Sequence, residues 1–355
     1  MLRTKAARVL DGVGAFSAFR KIRSFGLDPW ITVLTYHRVG DPERIGELDG
    51  GVVDAREAAF DAQMAFLQKH FSVIGLDELA HFARGGTLPV NPVLVTFDDG
   101  YRDNHDVALP ILKRHHIPAV FFLATHYLNE RRLFWWDRAS LLIRRCTKDA
   151  LDLSYPRARR IPLGHEPKAR ARAFRAALAP VKAYFGIELG RYMEDLERAT
   201  GVTLSRDEER RLADQHLLTW EHVKAMADAG MSIQSHTKTH RILGTLDPAA
   251  LDDELGGSRE ELSAKLGRPV TAVAYPVGKS LACAPEARRA IRRAGYELGF
   301  SNGTGLTTTL RFDPMEVKRL SLEVDLPDAY FRGMVSLPFF AYEPHADPRR
   351  TDYPH

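Results

Sequence analysis

Short apolar runs alternate with amphipathic stretches along most of the chain. Eight of these runs are rich in β-branched or aromatic residues and are predicted to be strands, at 31–36, 71–75, 93–97, 119–123, 231–234, 270–275, 296–300 and 317–320. Several are apolar without a break, which is typical of parallel strands covered on both faces. Strands that alternate with helical patterns predict an α/β fold with a parallel sheet, either closed into a barrel or open and doubly wound.

One segment interrupts this alternation. Residues 129–216 contain few strand signals and many Arg, Lys, Glu and Ala residues, so we predict a helical insertion between two strands of the barrel. The predicted organisation is therefore a barrel over residues 30–340 that contains this insertion, an N-terminal segment over 1–29, and a loosely ordered tail over 341–355.

The N-terminal segment is predicted to form a basic amphipathic helix. Its apolar residues recur at three- and four-residue steps beside a basic face; the apolar set is Leu2, Ala6, Val9, Val13, Phe16 and Phe19, and the basic set is Arg3, Lys5, Arg8, Arg20, Lys21 and Arg23. Such a helix can pack on the surface of its own domain or lie on an anionic membrane, in which case residues 1–25 would form a peripheral membrane contact.

Neither a secretion signal nor a transmembrane helix is expected from the sequence. Residues 1–27 lack an apolar core followed by a small-residue cleavage site. No stretch approaches the roughly 18 apolar residues that span a bilayer. We therefore expect a chain that is cytoplasmic or held peripherally at the inner face of the membrane.

The charge of the chain bears on its partners, and its cysteine content bears on disulfides and metal sites. The 50 basic and 46 acidic residues leave a net charge of +4, and the basic residues are scattered, so no nucleic-acid partner is expected. The two cysteines, Cys146 and Cys283, form neither a disulfide framework nor a close-spaced metal pair. We expect both to be unpaired thiols.

Two adjacent carboxylates, Asp98 and Asp99, follow the apolar run at 93–97 and precede Gly100. Neighbouring carboxylates repel each other near a core edge, so a cationic group is expected to offset them. In parallel α/β folds, ligands and catalytic groups gather at the carboxyl ends of the strands. The alternative is that the pair only ends a strand and caps the following helix.

Two histidines, His236 and His240, follow the strand predicted at 231–234. Their four-residue spacing on a turn directs both imidazoles to one point, which is a familiar way to hold zinc. Two imidazoles and one carboxylate form a three-ligand site with open positions, as in catalytic rather than structural zinc centres. We therefore expect a divalent metal, zinc before all others, with cobalt, nickel or manganese as alternatives.

Three segments, 96–100 (TFDDG), 235–240 (SHTKTH) and 274–278 (AYPVG), together resemble signature motifs of the polysaccharide deacetylases, carbohydrate esterase family four. The resemblance spans roughly residues 31–321 with the insertion set aside. In pattern it is closest to the branch that acts on poly-N-acetylglucosamine-type exopolysaccharides. It implies a distorted (β/α)7 barrel, similar to a TIM barrel, and metal-dependent hydrolysis of N-acetyl groups on an amino-sugar-containing polysaccharide or glycoconjugate.

The same resemblance implies roles for individual residues. Asp99, His236 and His240 would ligate the metal. Asp98 would be the general base on metal-bound water, and the backbone N–H of Val277 would stabilise the oxyanion. The residues expected to contact the glycan substrate are Tyr101, Trp136, Tyr275 and Pro276. Trp136 is included because aromatic rings stack on sugar faces and not because of the resemblance, and the alternative is that it anchors the insertion to the barrel.

Two departures from the family pattern affect the expected chemistry. Ala274 occupies the position at which many members carry the arginine that orients the base, so Asp98 is expected to lack that support. The stretch 319–325 (RLSLEVD) lacks the histidine that protonates the leaving amine in many members. His37, at the end of the first strand, is then the first candidate for the acid, followed by Glu323 and Asp325.

These departures leave two alternatives to the deacetylase. One is a non-catalytic carbohydrate-binding barrel of an exopolysaccharide system, which the missing acid favours. The other is a deacylase of a lipid-linked sugar, which the basic N-terminal segment favours.

Overall fold

Thirteen strands lie within the residues that the computed structural model describes, which are 2–23, 25, 30–278, 284–337 and 340. In chain order they are β1 (Trp30–Tyr36), β2 (Arg38–Val39), β3 (Val53–Ala55), β4 (Ser72–Val73), β5 (Pro92–Phe97), β6 (Ala119–Leu123), β7 (Ala150–Leu153), β8 (Arg159–Pro162), β9 (Ser232–Ser235), β10 (Ala272–Ala274), β11 (Leu298–Thr304), β12 (Thr307–Thr308) and β13 (Val317–Ser321). Cys283 and the tail predicted at 341–355 lie outside the described residues.

Seven parallel strands close into a barrel. They hydrogen-bond in the cyclic order β1, β13, β11, β10, β9, β6 and β5, and β5 pairs back to β1 over five residue pairs. The predicted seven-stranded barrel is therefore confirmed, and an open sheet is excluded because no edge remains between β5 and β1.

The run at 71–75 does not form a barrel strand of its own. Only Ser72–Val73 is extended, as β4, and it pairs with the start of β5. The following residues Ile74, Leu76 and Leu79 instead join the buried cluster of the barrel interior. The run is apolar because its side chains help to fill the barrel interior. Without it, seven of the eight predicted strands remain, and these are the seven strands of the barrel.

Both faces of the barrel strands are buried. Ile31 and Val33 of β1, Leu94 of β5, and Leu298 and Phe300 of β11 belong to one interior cluster. Residues of the opposite alternation on β1 and β5 belong to a second cluster, which the surrounding helices share. Burial on both faces explains the unbroken apolar runs. Because side chains alternate along a strand, a residue two positions beyond the last inward-facing apolar residue points into the open end of the barrel.

Fifteen α-helices are described: α1 (Leu2–Gly12), α2 (Ala15–Arg23), α3 (Glu57–His70), α4 (Leu76–Ala83), α5 (Leu109–Arg114), α6 (Thr125–Glu130), α7 (Trp135–Arg145), α8 (Pro167–Ala183), α9 (Leu189–Thr200), α10 (Arg206–His216), α11 (Trp220–Asp228), α12 (Pro248–Asp252), α13 (Ser258–Leu266), α14 (Pro285–Arg293) and α15 (Asp328–Ser336). Within the described residues, none of them combines the length and the apolar character that crossing a membrane requires.

The segment for which the insertion is predicted lies between β6 and β9. It holds helices α7 to α10 and, in addition, an antiparallel hairpin of β7 and β8. The hairpin escaped prediction because its second strand, Arg159–Pro162, has a single buried residue. Leu142, Leu151, Leu178 and Leu196 form part of a separate hydrophobic cluster. The segment therefore has a core of its own beside that of the barrel.

The N-terminal segment forms two helices rather than the single helix predicted. A turn at Gly14, whose φ of +74° is a left-handed conformation that favours glycine, separates α1 from α2. Both helices pack against α15, where the ring of Phe16 lies over Gly333. Among the described helices, the last one, α15, therefore packs against the first two.

Candidate metal centre and active site

Five polar side chains continue the inward alternation of their strands at the carboxyl end of the barrel. They are His37 after β1, Asp98 after β5, His236 after β9, Asn302 in β11 and Arg319 in β13. Four of the five line a single pocket, and Arg319 lies against it through Asp98. The strand register alone therefore brings together groups that are far apart in the sequence.

Asp99, His236 and His240 converge as predicted for a metal site. The Oδ1 atom of Asp99 lies 3.5 Å from Nε2 of His236 and 3.4 Å from Nε2 of His240. Donor atoms at about 2.0–2.2 Å from a tetrahedral zinc are separated by about 3.3–3.6 Å, so these two distances fit a single ion. The only other such trio among the described residues, His105, Asp106 and His222, is partly exposed.

The protonation of this trio also suits a cation. Burial lowers the pKa of His236 to about 4 and that of His240 well below its usual value, so both imidazoles are neutral at pH 7. Nδ1 of His236 lies 2.9 Å from the carbonyl oxygen of Ala274, which leaves Nε2 directed at Asp99. Burial raises the pKa of Asp99 to about 7, with Asp98 adding to the rise and His37 opposing it.

One oxygen of this buried trio has no hydrogen-bond partner. Oδ1 of Asp99, the atom that faces both imidazoles, is buried and unpaired. A buried carboxylate oxygen without a donor is costly, and a bound cation would satisfy it. The described residues therefore fit a divalent metal, with Asp99, His236 and His240 as its ligands.

Backbone strain is concentrated at the same place. Seven non-glycine residues in the described chain have positive φ, and four of them lie here: Asp99 (76°), Thr237 (65°), His240 (56°) and Val277 (53°). For the β-branched Val277 and Thr237 this conformation is a genuine outlier, and each such residue costs about 1–3 kcal/mol. Strain of this kind persists where the geometry of a site requires it. Here the positive φ of Asp99 and His240 changes the direction of the backbone after β5 and β9, so that both side chains face the pocket.

The expectation that Asp98 lacks an arginine is wrong. Arg319 reaches it from β13 and donates two hydrogen bonds, from Nη1 to Oδ1 and from Nη2 to Oδ2, both at 2.7 Å. The arginine side chain is fully buried and that of Asp98 is 3% exposed. Burial alone would raise the pKa of Asp98, but Arg319 and His236 outweigh it and hold that pKa well below its usual range. Arginine from the last strand thus replaces the one missing at Ala274.

His37 lines the pocket and is paired with a carboxylate that the sequence analysis missed. Nδ1 of His37 lies 3.0 Å from Oδ2 of Asp54, in β3, and the side chain of Asp54 is 8% exposed. Burial alone would lower the pKa of His37, but the charge of Asp54, helped by Asp99 and Asp98, raises it to about 10. His37 is therefore a protonated imidazole at neutral pH. Glu323 and Asp325, the other candidates for the acid, are not part of the pocket lining.

The remaining pocket wall comes from two segments outside the barrel. The insertion contributes Trp135, Trp136, Leu178 and Lys182, and the chain between β2 and β3 contributes Asp49 and Val52. The pocket has a volume of about 180 Å³. Because helices α7 and α8 close one side, the insertion helps to define what can enter.

Of the four predicted substrate contacts, only Trp136 lies in the pocket wall. Its ring lies 4.5 Å from that of His240, and its Nε1 donates to the hydroxyl of Tyr101. Tyr101 itself is fully buried and donates to Asp137, which places its hydroxyl behind the wall.

Tyr275 and Pro276 are likewise outside the pocket lining, whereas Val277 is part of it. Tyr275 is 1% exposed, and its hydroxyl donates to the carbonyl of Met315 at 2.8 Å. The ring occupies space that a side chain at Gly299 would fill. Tyr275 therefore packs within the barrel, and only the residue after Pro276 reaches the site.

Comparison with known proteins gives the family and the fold of the chain. The family model described as polysaccharide deacetylase matches residues 85–153 and 192–299, which leaves out only part of the insertion between its two segments. The protein YxkH of Bacillus subtilis (strain 168) is 32% identical over 94 residues, 26% of this chain and 33% of that protein. A poly-beta-1,6-N-acetyl-D-glucosamine N-deacetylase of Staphylococcus epidermidis is 29% identical over 105 residues, 27% of this chain and 36% of that protein.

The matches to these two curated relatives span about a third of the relatives' length. Among solved structures, the deacetylase PplD of Streptococcus pyogenes, in complex with acetate, is similar with a TM-score of 0.57 and 17% identity. That similarity covers 88% of this chain and 100% of the other. At this identity the likeness concerns the fold alone.

Proposed function

The chain belongs to the polysaccharide deacetylase family, and on that premise we propose that it hydrolyses N-acetyl groups of an amino-sugar-containing glycan with the help of a divalent metal. The observation that carries the proposal is one pocket that joins the trio of Asp99, His236 and His240 to a buried carboxylate and a protonated histidine. Each of these groups has a distinct task in amide hydrolysis.

Asp99, His236 and His240 are the proposed ligands, and zinc is the ion we propose, with cobalt, nickel or manganese as alternatives. When bound, such an ion supplies Lewis-acid polarisation of the acetyl carbonyl and acidifies water. The ligands themselves need no proton loss at neutral pH apart from Asp99, because both imidazoles are already neutral.

Asp98 is the proposed general base. Its carboxylate stays ionised because Arg319 binds both oxygens, and the same two hydrogen bonds fix the plane of the carboxyl group. The Oδ2 atom lies 3.7 Å from Nε2 of His236, so the base is adjacent to the proposed metal site. An oriented, ionised carboxylate at this position can take the proton of the attacking water.

His37 is the proposed general acid. Asp54 holds Nδ1 of the ring, which leaves Nε2 as the nitrogen able to give a proton to the leaving amine. The pKa of His37, raised to about 10, favours the protonated ring at neutral pH. Val277, on its strained turn in the pocket wall, is proposed to direct its N–H at the oxyanion.

The proposed activity predicts that the protein, loaded with one equivalent of zinc, releases acetate from soluble N-acetylglucosamine oligomers. Replacing a ligand, His240→Ala, should lower both the metal stoichiometry and acetate release to background, since two donors hold zinc far more weakly than three. Metal content is measured by elemental analysis and acetate by an enzyme-coupled assay.

A matched control for this experiment is His105→Ala, a histidine of the partly exposed trio. It should keep both metal binding and acetate release. Stoichiometric zinc without acetate from any N-acetylated oligomer, β-1,6-linked or β-1,4-linked, would instead make the protein a non-catalytic carbohydrate-binding barrel.

The acid role of His37 predicts a change in pH dependence when its partner is removed. Asp54 raises the pKa of His37, so in Asp54→Asn that pKa falls and the protonated form is lost at lower pH. The basic limb of the kcat profile should move down by roughly one to three pH units. His37→Gln should lower kcat throughout. An unchanged basic limb in Asp54→Asn, with His37→Gln fully active, would remove His37 from the mechanism.

A further inference from the structure

Exposed apolar side chains are concentrated on the two N-terminal helices. Among the described residues, eight large hydrophobic side chains are prominently exposed, and five of them lie between positions 9 and 25. They are Val9 (65%), Val13 (74%), Phe19 (44%), Ile22 (50%) and Phe25 (84%). Scattered exposed hydrophobic residues are normal, whereas a cluster of five in seventeen positions marks an interaction surface.

This surface is separate from the one that holds the helices on the protein. Phe16 packs against Gly333 and Phe340, and Arg332 of α15 forms an ion pair with Asp11. Arg20, which is 9% exposed, donates to Ser336. The helices are therefore already anchored by one face, so the exposed apolar residues are not needed for folding contacts within the described chain.

Exposed basic residues accompany the apolar ones. Lys5 and Arg8 lie on the exposed side of α1 with Val9, and Lys21 lies beside Ile22 on α2. In contrast, Arg20 and Arg23, which the sequence pattern placed on the basic face, are buried. Apolar side chains bordered by lysine and arginine are complementary to a bilayer surface that carries anionic headgroups.

We propose that the exposed face of α1 and α2, with Phe25, docks on an anionic lipid membrane. The apolar side chains would insert among the headgroups, and Lys5 and Arg8 would pair with lipid phosphates. The proposal does not depend on the deacetylase activity, because none of these residues lies in the pocket wall.

The position of α2 also bears on which way the pocket faces when the protein is docked. The Arg23 guanidinium donates to the carbonyl of Trp30, the first residue of β1, and Asn91, just before β5, donates to the carbonyl of Arg20. The end of α2 thus lies near the amino ends of β1 and β5, whereas the pocket opens at the carboxyl ends of the barrel strands. A docked molecule would present the pocket away from the bilayer, to a glycan in the aqueous phase rather than to a sugar at the lipid surface.

The test is sedimentation of the full chain with vesicles. Vesicles of phosphatidylcholine mixed with phosphatidylglycerol should bind the protein, and pure phosphatidylcholine should bind it far less. The double variant Phe19→Ser with Phe25→Ser should lose about tenfold or more in vesicle affinity, and Lys5→Gln with Arg8→Gln should lose the preference for anionic lipid.

A matched control exists in Phe185→Ser with Leu310→Ser, since those side chains are 71% and 77% exposed elsewhere on the protein. This variant should bind vesicles as the parent does. The proposal would be overturned by an equal loss of vesicle affinity in the Phe19/Phe25 and Phe185/Leu310 variants, or by a parent that does not bind anionic vesicles. A dimer that the Phe19 and Phe25 changes dissociate, without vesicle binding, would assign the face to a second copy. Acetate release from soluble oligomers should be unchanged in every variant, so failure here is distinguishable from failure of the proposed activity.

Discussion

Replacing Asp98 with asparagine is expected to lower kcat for acetate release by about 10²–10⁴-fold, the usual contribution of a general base. The amide has nearly the shape of the carboxyl group but cannot accept a proton. Because Asp98 is not one of the three proposed ligands, the zinc stoichiometry should remain that of the parent. The measurement is kcat with saturating oligomer, alongside elemental analysis of the purified protein.

Loss of fold must be separated from loss of chemistry in this variant, because Asp98→Asn also leaves Arg319 without its counterion. Thermal unfolding measures whether the variant has lost its fold. The matched control is Asp137→Asn, since Asp137 is equally buried but lies behind the wall, hydrogen-bonded to Tyr101. Its kcat should fall far less than that of Asp98→Asn. A folded, zinc-loaded Asp98→Asn protein that retains a substantial part of the parental kcat would show that Asp98 is not the base.

Replacing Arg319 with methionine is expected to destabilise the protein by roughly 3–5 kcal/mol at neutral pH, because it strands a buried charge on Asp98. The pair is fully buried and bidentate, so solvent cannot take the place of the guanidinium. Chemical denaturation measures this loss. Arg319 is a positioning residue, and its removal should also change how activity depends on pH.

The direction in which the pH profile of kcat shifts follows from the ion pair of Arg319 and Asp98. Arg319 lowers the pKa of Asp98, so in Arg319→Met that pKa rises and the ionised base forms only at higher pH. The acid limb of the kcat profile should therefore move to higher pH, which a merely structural role would not produce. Arg319→Lys should restore part of the parental profile because it retains the charge.

A double variant separates the two contributions of this arginine. Adding Asp98→Asn to Arg319→Met should recover part of the lost stability, because no charge then remains unpaired, while activity stays at the level of Asp98→Asn alone. If Arg319→Met kept parental stability and an unchanged acid limb, the ion pair would have neither of the roles assigned to it.

The local parts of the site were predictable because their residues are close in the chain. Asp98 and Asp99 end one apolar run, and His236 and His240 end another four residues apart. Strand ends of a parallel barrel meet at one opening, so two short motifs sufficed to predict that Asp99, His236 and His240 lie together as candidate metal ligands. The barrel was predictable for a similar reason, since continuous apolar runs report burial on both faces of each strand.

The partners of Asp98 and His37 were not predictable from motifs. Arg319 is separated from Asp98 by 221 residues, and only barrel closure through β1 places β13 within reach of β5. One local signal was available: Arg319 follows the inward-facing Val317 by two residues, so it had to point into the barrel. Asp54 carried no such signal, because β3 is a three-residue strand whose position depends on β2.

From the sequence alone we predicted the barrel, the three candidate metal ligands and the family of the chain, because each is encoded in short segments whose spacing imposes geometry. The pairing of Asp98 with Arg319 and of His37 with Asp54 became visible only in the tertiary structure. The same holds for the burial of Tyr101 and Tyr275 away from the pocket, and for the contribution of Trp136 and Lys182 to its wall. The tertiary structure also decided that the N-terminal residues bury one face and expose another. Contacts between segments far apart in the chain depend on how the barrel closes, and periodicity within one segment carries no information about them.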